Sequence, residues 1–429
     1  MNKMEKKKLL FLGTSNASCA MVKCAKDKGI YTIVTDNLEK QQSAAKQIAD
    51  EIWNISTADV DLLEKKCREE GVNGILCGIS GFNIDKSLEL TARLNLPFYC
   101  SKEAWHYTRN KCDFKKLCRE CNVPVAKDYY LSDRLTDSEV AKVDFPVVVK
   151  PVDRGSNIGI SFCNNAKELR DAFKLVREVS TNPQIVVEKM LHGEEFFSSY
   201  AIVNGKARFL ALNAMYSEAG YPKNCYTVTT TISRGVKKFL EEINPSIEKV
   251  LNKIGCTDGY AWVQVMKDVD DHFYVIEMGY RLDGGMIFFP YREMLGYDAI
   301  SHLVDIAVGN DKTSIHLPDE QTSMSTNCGM AYMLWTKVEG KIYRIEGIDT
   351  LRLRSDFFVD VRRNIGDKFG IYRPLGTITC SAKNCDELCE KIDYLNKTVH
   401  IYDDNDEDIL IKYTDFDNLK NIYKEEIKK

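Results

Sequence analysis

The stretch that most constrains this chain is FPVVVKPVDRGSNIGIS, from Phe145 to Ser161. Three β-branched residues in a row, Val147, Val148 and Val149, read as a buried strand. Lys150 closes that strand, and Pro151, which has no N–H to donate, stops it. Arg154, Gly155, Ser156, Asn157 and Gly159 follow before a second apolar run from Ile160 to Cys163. A glycine-rich loop between two strands lets backbone N–H groups approach a polyphosphate, because no side chain stands in the way. Lys150 at the rim adds positive charge where phosphate oxygens would lie. Alone, these residues also describe a β-hairpin with a flexible tip and a lysine at its rim, so the decision rests on the rest of the chain.

At 429 residues the chain is too long for one core and implies roughly two to four domains. A net charge of −4 removes the electrostatic case for nucleic acid as a partner. The apolar run Leu9 to Leu12, behind the basic MNKMEKKK, is too short for a signal peptide or a membrane span. Fifteen cysteines without a secretory signal point to a reducing cytoplasm. Cys118 and Cys121 lie in a helical context with no second CxxC to complete a zinc site, and read as small hydrophobes.

From Lys8 to Asp36 the pattern is strand, turn, helix, strand, a βαβ unit that predicts a parallel sheet. The turn GTSNAS lacks the glycines of a dinucleotide fingerprint, so a nicotinamide site is discounted. A helix from Val60 to Glu70, the strand GILCGIS, a helix from Ile84 to Leu94 and a last strand LPFYC complete an α/β domain over 1–100. From Ser101 to Asn122 a long helix is expected, with Ser101 as its cap. QIVVEKML reads as a strand carrying Glu188 and Lys189. Asn204-Gly205 marks a hairpin, and Leu240 to Ile254 a helix. AWVQVMK and HFYVIEM form a second hairpin with an acidic tip, Asp268 to Asp271. Alternation places Gln264 and Met266 on one face of the first strand, and Glu277 and Gly279 on one face of the second. That is the pattern of a two-strand cation site, or of solvent-facing positions on a half-exposed sheet. MLGYDAISHLVDIAVGN is a helix closing a domain over 101–312. From 313 to 429 a separate, mostly β segment is expected, with strands in IYRIEGIDTLRLR, DFFVDV and GIYRPLGTITCSA, the helix DELCEKIDYLNKT, and a charged tail.

Together these pieces resemble the ATP-grasp superfamily of carboxylate–amine and carboxylate–thiol ligases over roughly residues 8 to 310. The resemblance rests on order: Lys111, then Lys150, then Gly155-Ser156-Asn157-Ile158-Gly159, then Glu188 and Lys189, then Glu195 in HGEEF, and last Gln264, Glu277 and Arg281 in EMGYRLDGG. The C-terminal part, through GKIYRIEGID, is similar to that of L-amino-acid ligases and biotin-carboxylase-like members. The fold so implied is a multidomain α/β and α+β protein. It has a Rossmann-like first domain, a two-lobed nucleotide-binding domain and a small β-rich third one.

The resemblance also implies roles. ATP would be held by Lys111 and Lys150 at its phosphates and by a flap including Arg154, Gly155 and Ser156. Backbone groups from Glu188 through Lys189 and Met190 to Leu191 would meet the adenine edge, Glu195 the ribose, and Met266 the adenine face. Gln264 and Glu277 would hold Mg²⁺, or Mn²⁺ in its place, and Arg281 would be the catalytic residue at the transferring phosphoryl group. A small carboxylate and an amine are the implied substrates, drawn to Tyr226 in the Tyr216 to Ile232 stretch and to Asp283, Gly284 and Gly285. No nucleic acid or membrane is implied, and a homodimer is compatible.

A carboxylate is a poor electrophile, and phosphorylation by ATP turns it into an acyl phosphate that an amine can attack. Positioning and electrostatics suffice for this, in keeping with the absence of a Ser/His/Asp or Cys/His pattern. Two departures stand out. Gln264 is neutral where the family carries a metal carboxylate, and Gly279 stands at the Asn of its Glu-x-Asn-x-Arg pattern. Asp283 is the candidate to compensate. Alternatives are bicarbonate or carbamate phosphorylation, as in carbamoyl-phosphate-synthase-like members, and a degenerate ATP-binding protein without turnover.

Overall fold

Among the described residues nineteen strands, in chain order, carry the architecture: β1 Lys8–Leu12, β2 Tyr31–Thr35, β3 Glu51–Trp53, β4 Gly74–Cys77, β5 Val147–Pro151, β6 Ser161–Cys163, β7 Ile185–Lys189, β8 Gly193–Val203, β9 Lys206–Ser217, β10 Tyr226–Thr230, β11 Gly259–Asp268, β12 Phe273–Gly279, β13 Cys328–Trp335, β14 Gly340–Lys341, β15 Arg344–Glu346, β16 Phe358–Val361, β17 Lys368–Phe369, β18 Pro374–Ala382 and β19 His400–Tyr402. They belong to a computed structural model that describes residues 6–14, 17–152, 159–182, 184–310, 315, 317–318, 327–361 and 363–427.

The apolar runs near the N-terminus pair as the βαβ pattern requires. β1 lies parallel to β2 and β4, in the order β3-β2-β1-β4, and Leu9, Leu10 and Leu12 are fully buried. LPFYC does not join this sheet as a fifth strand. Pro97 offers no ladder donor, and the segment instead packs beneath a distant loop, where the Tyr280 hydroxyl donates to the Tyr99 carbonyl at 2.9 Å.

The long helix expected from Ser101 is two helices, Lys102–Arg109 and Lys111–Glu120. Asn110 breaks them: its backbone is extended and its side chain accepts from the N–H groups of Cys112 and Asp113, starting the second helix afresh. Likewise the helix expected from Leu240 starts at Asn244, with Pro245 in its first turn, after a short helix Val236–Glu242. Gly296, at φ 71°, divides the closing helix into Tyr291–Leu295 and Ala299–Ala307.

A small antiparallel sheet, β6-β5-β7, is roofed by the helix Ala166–Val179 and has its own core of Val147, Val149, Leu169, Phe173 and Val187. The large sheet is antiparallel with the order β12-β11-β8-β9-β10-β13-β18-β16. Its last three strands come from beyond residue 312, so the segment expected to stand apart extends the central sheet. The pairing of Val228 with Tyr332 carries the ladder across. IYRIEGIDTLRLR contributes only β15 before Gly347, at φ 79°, turns the chain into the helix Ile348–Arg352. The charged tail is largely the helix Phe416–Ile427, which buries Leu419 and Ile422.

The first sheet shares one continuous core with the large one, from Leu9 and Ile75 to Tyr260, Leu303 and Ala331. β4 sits close enough to the helix Ala299–Ala307 that a Cβ on Gly74 would stand 2.1 Å from the Ala307 carbonyl oxygen. Neither backbone can yield cheaply. Gly74→Ala should cost about 1–3 kcal/mol by forcing the layers apart, measured as a lower urea midpoint; an unchanged midpoint would show the junction to be loose.

Candidate functional site

The helix Lys111–Glu120 is amphipathic, with Phe114, Leu117 and Cys118 buried, yet Lys115 is buried with them at 1% exposure. A lysine on an apolar face needs a counter-charge. Lys115 Nζ lies 2.6 Å from Glu188 on β7 and 3.4 Å from Asp128. Lys150, from the neighbouring strand β5, meets the other oxygen of Glu188 at 3.2 Å. Burial opposes ionisation of Glu188, but the two ammonium groups prevail and hold its pKa below the ordinary carboxylate value.

One helical turn before Lys115, Lys111 Nζ lies 3.2 Å from Glu277 on β12. The helix therefore ties the small sheet to the large one through two lysines on one face. On the large sheet Gln264 is directly opposite Glu277, and Met266 directly opposite Glu195. The Gln264 amide and the Tyr226 hydroxyl each donate to one oxygen of Glu195. Burial raises the pKa of Glu195; its hydrogen bonds and the charge of Lys150 pull the other way, while Glu277 adds to the rise. One helix thus links Glu277, which lies opposite Gln264, to Glu188, which Lys150 shares, and Gln264 and Tyr226 in turn hold Glu195, opposite Met266. A cavity of about 750 Å³ opens beside Lys111 and Lys115, lined further by Arg119, Asp128, Tyr130 and Val186.

Other expected residues are placed differently. Lys189 points to the opposite face of β7 from Glu188, and its ammonium meets the Asp144 carboxylate at 2.9 Å and the Phe145 carbonyl at 3.1 Å. The backbone donors expected along Glu188 to Leu191 are mostly engaged. The Lys189 N–H goes to the Lys127 carbonyl and the Met190 N–H to that of Pro146. Asp283 is buried, accepting from the Tyr260 hydroxyl at 3.2 Å and the Ile287 N–H at 3.2 Å, and burial lifts its pKa to about 6. It stands beneath Gly284 and Gly285, which pass between Ile79 and Met333. Arg154, Gly155 and Ser156 lie outside the described residues.

Arg281 sits with its guanidinium 5.3 Å from the centre of the Trp262 ring and donates to the Leu282 carbonyl. Burial weighs against its charge, while Tyr99, Glu277 and Asp283 favour it; the balance lies below the ordinary value. Sequence reasoning missed Lys115 and Trp262. Lys115 carried a usable signal, a lysine inside the apolar stripe of an amphipathic helix. Trp262 carried none, because its place depends on the pairing of β11 with β12.

Among the described residues no group of three His, Cys, Asp or Glu side chains is placed to hold a metal ion. Glu277 and the Gln264 carbonyl nevertheless offer two oxygens in register across the hairpin. That set suits Mg²⁺, which takes one or two protein ligands and completes its octahedron with phosphate and water.

The chain is similar to known proteins. The family model described as "D-ala D-ala ligase C-terminus" matches residues 122–280. A D-alanine–D-alanine ligase of Buchnera aphidicola subsp. Schizaphis graminum is 26% identical over 241 residues, covering 53% of this chain and 76% of that one. Two further relatives of the same name are spanned over 43% and 62% of their lengths. The structure of an L-amino acid ligase from Bacillus licheniformis superposes with a TM-score of 0.74 at 18% identity, over 94% of this chain and all of the other. That of a biotin carboxylase from Campylobacter jejuni, in complex with β,γ-ATP, does so at 0.75 and 16%, over 99% and 96%.

The buried Lys115–Glu188–Lys150 group has a pH signature. Glu188 has a lower pKa folded than unfolded, so its contribution to stability is present above the ordinary carboxylate range and is lost as pH falls through the depressed value. Lys115→Met should destabilise the protein at pH 7 by about 3 kcal/mol. The gap from wild type should narrow below about pH 4, as Glu188 takes up a proton. Urea unfolding at several pH values measures this; a pH-independent gap would show that the loss is one of packing.

Proposed function

We propose that this chain, which belongs to the ATP-grasp superfamily, is a carbon–nitrogen ligase that uses ATP to activate a small carboxylate, an amino acid or similar metabolite, and joins it to an amine. The D-alanine–D-alanine ligase relatives carry the reaction class, ATP-dependent carboxylate–amine ligation; the likeness to the L-amino acid ligase carries the fold. The observation that supports the residue assignment is the shared cleft. One helix brings Lys111 to Glu277 and Lys115 to Glu188, so that Lys150, Glu195 and Gln264 face the same space.

In this reading ATP lies between the small and large sheets. Lys111 and Lys150 neutralise phosphate charge, and the loop bearing Arg154, Gly155 and Ser156 covers the phosphates. Leu191 supplies the backbone contact to adenine, since its neighbours' donors are engaged. Glu195, steadied by Tyr226 and Gln264, accepts from the ribose, and Met266 packs on the base. Mg²⁺, held by Glu277 and the Gln264 carbonyl, would neutralise charge on the phosphates when bound. Gly284 and Gly285, propped by Asp283, border the acceptor side. The setting is the cytoplasm, where fifteen free thiols are stable; among the described residues no helix is long and apolar enough to cross a membrane.

The chemistry proceeds in two displacements. A carboxylate oxygen attacks the γ-phosphorus and ADP departs, leaving an acyl phosphate. The amine nitrogen then attacks the acyl carbon, the bond from carbon to the phosphate oxygen breaks, and the nitrogen loses a proton. Arg281 holds positive charge close to the oxygens on which negative charge builds, in a cleft where solvent screens it little.

Purified protein supplied with ATP and a panel of amino acids should release one ADP and one phosphate per amide formed, and only when the correct carboxylate is present. Release of AMP and pyrophosphate would overturn the acyl-phosphate route, and bicarbonate-stimulated cleavage without an amino acid would favour the carbamoyl-phosphate-like alternative. Glu277→Ala should lower kcat on the order of 100-fold or more, the scale of losing a preorganised electrostatic group.

A further inference from the structure

The pairing of β11 with β12 places Trp262 opposite Gly279, one step along the same face from Gln264 and Glu277. Glycine there is a requirement of space. A Cβ at residue 279 would stand 2.3, 2.4 and 2.5 Å from Cε2, Cζ2 and Nε1 of the Trp262 indole. The ring therefore fills the volume from which a side chain at 279 would reach toward Glu277. An indole N–H is a donor only and cannot ligate a cation. Trp262 Nε1 is buried, and no acceptor for it is found among the described residues.

Charge points the same way. The Arg281 guanidinium stands over the indole ring, 5.3 Å from its centre, an arrangement that favours a cation on the ring face. Lys111 already lies 3.2 Å from Glu277. Of the nearby carboxylates, Glu195 has both oxygens engaged by Tyr226 and Gln264, and Asp283 is engaged by Tyr260 and Ile287. Among the described residues Glu277, directly opposite Gln264 and already 3.2 Å from the Lys111 ammonium, is the carboxylate placed to share with a metal ion there.

We propose that this site takes one divalent cation per bound nucleotide, with Trp262 filling the second ligand position and holding Arg281 there as a fixed positive charge. The proposal rests on the ATP-dependent ligase reading and deepens it. Arg281 would supply beside the phosphates, without exchange, the charge that a second ion would otherwise bring. Trp262 is then a positioning residue, acting through Arg281 and through the space it denies.

The test counts ions. The full chain is saturated with a non-hydrolysable ATP analogue and titrated with Mn²⁺, free Mn²⁺ being read by electron paramagnetic resonance and bound nucleotide by equilibrium dialysis. One Mn²⁺ per bound analogue is the expected result, and two would overturn the proposal while leaving the ligase reading intact. Failure to bind the analogue at all would overturn both. In the double variant Trp262→Ala/Gly279→Asn, which trades the ring for an oxygen ligand, the count should rise to two; a folded, nucleotide-binding variant that stays at one would remove Trp262 from the explanation. Should that variant not fold, the wild-type count still decides. Trp262→Phe, which keeps a ring beneath Arg281 and adds no oxygen ligand at residue 279, should stay at one, and a rise to two would show that a ligand at 279 is not what the count depends on.

Discussion

The structure turns on a lysine buried where a leucine would be ordinary. Lys115 sits in the apolar stripe of its helix, and its charge is tolerated because Glu188 comes to it from the small sheet and Asp128 from the strap between. Glu188 in turn is shared with Lys150. A buried carboxylate between two ammonium groups binds three segments distant in sequence and rejects alternatives, because any arrangement that separates them strands a charge away from water. Lys111, a turn earlier, carries the same helix to Glu277 on the large sheet. The cleft has its dimensions because one short helix is electrostatically attached to both of its walls.

The second organising element is the continuity of the large sheet. β8 to β12 carry Glu195, Gln264, Met266 and Glu277, while β13, β16 and β18, far later in the chain, extend the same ladder beyond β10. The loop after β12 lies across this face between Ile79 of the first layer and Met333 of β13. Beneath it runs a buried polar chain in which Asp283 meets Tyr260, Tyr260 meets Ser199, and Ser199 meets Tyr291. Each member is satisfied by the next, which makes the loop's seat rigid as well as polar. Residues of the first layer, of the middle of the chain and of β13 therefore meet around this loop.

Several features of the cleft were legible before folding. Lys150 at the end of a valine run, Glu188 in QIVVEKML, and the alternation of Gln264 with Met266 and of Glu277 with Gly279 each follow from strand periodicity, and the structure pairs Lys150 with Glu188 and sets Gln264 opposite Glu277. Periodicity also assigns Lys189 the face away from Glu188, although the family resemblance made it a candidate. Helix breaks were less legible: Asn110 restarts a helix by capping it, and an asparagine within a helical pattern does not announce which role it takes. The strand expected at LPFYC was lost to tertiary packing, since its apolar side chains serve the interior without a ladder.

What the sequence by itself determined is local and periodic: the strand–loop–strand about Lys150, the βαβ start, the two hairpins, and the order of charged residues that marks the family. Tertiary structure alone decided which charges meet and which volumes are filled. Lys115 joins Lys150 in neutralising Glu188, Arg281 rests on an indole, and Gly279 is small because Trp262 lies across it. The physical reason is range. Side-chain alternation and capping act over a few residues and are written in neighbouring letters, whereas a buried charge or a filled space is settled by segments from 17 positions apart, as for Trp262 and Gly279, to 73, as for Lys115 and Glu188, whose meeting no local pattern records.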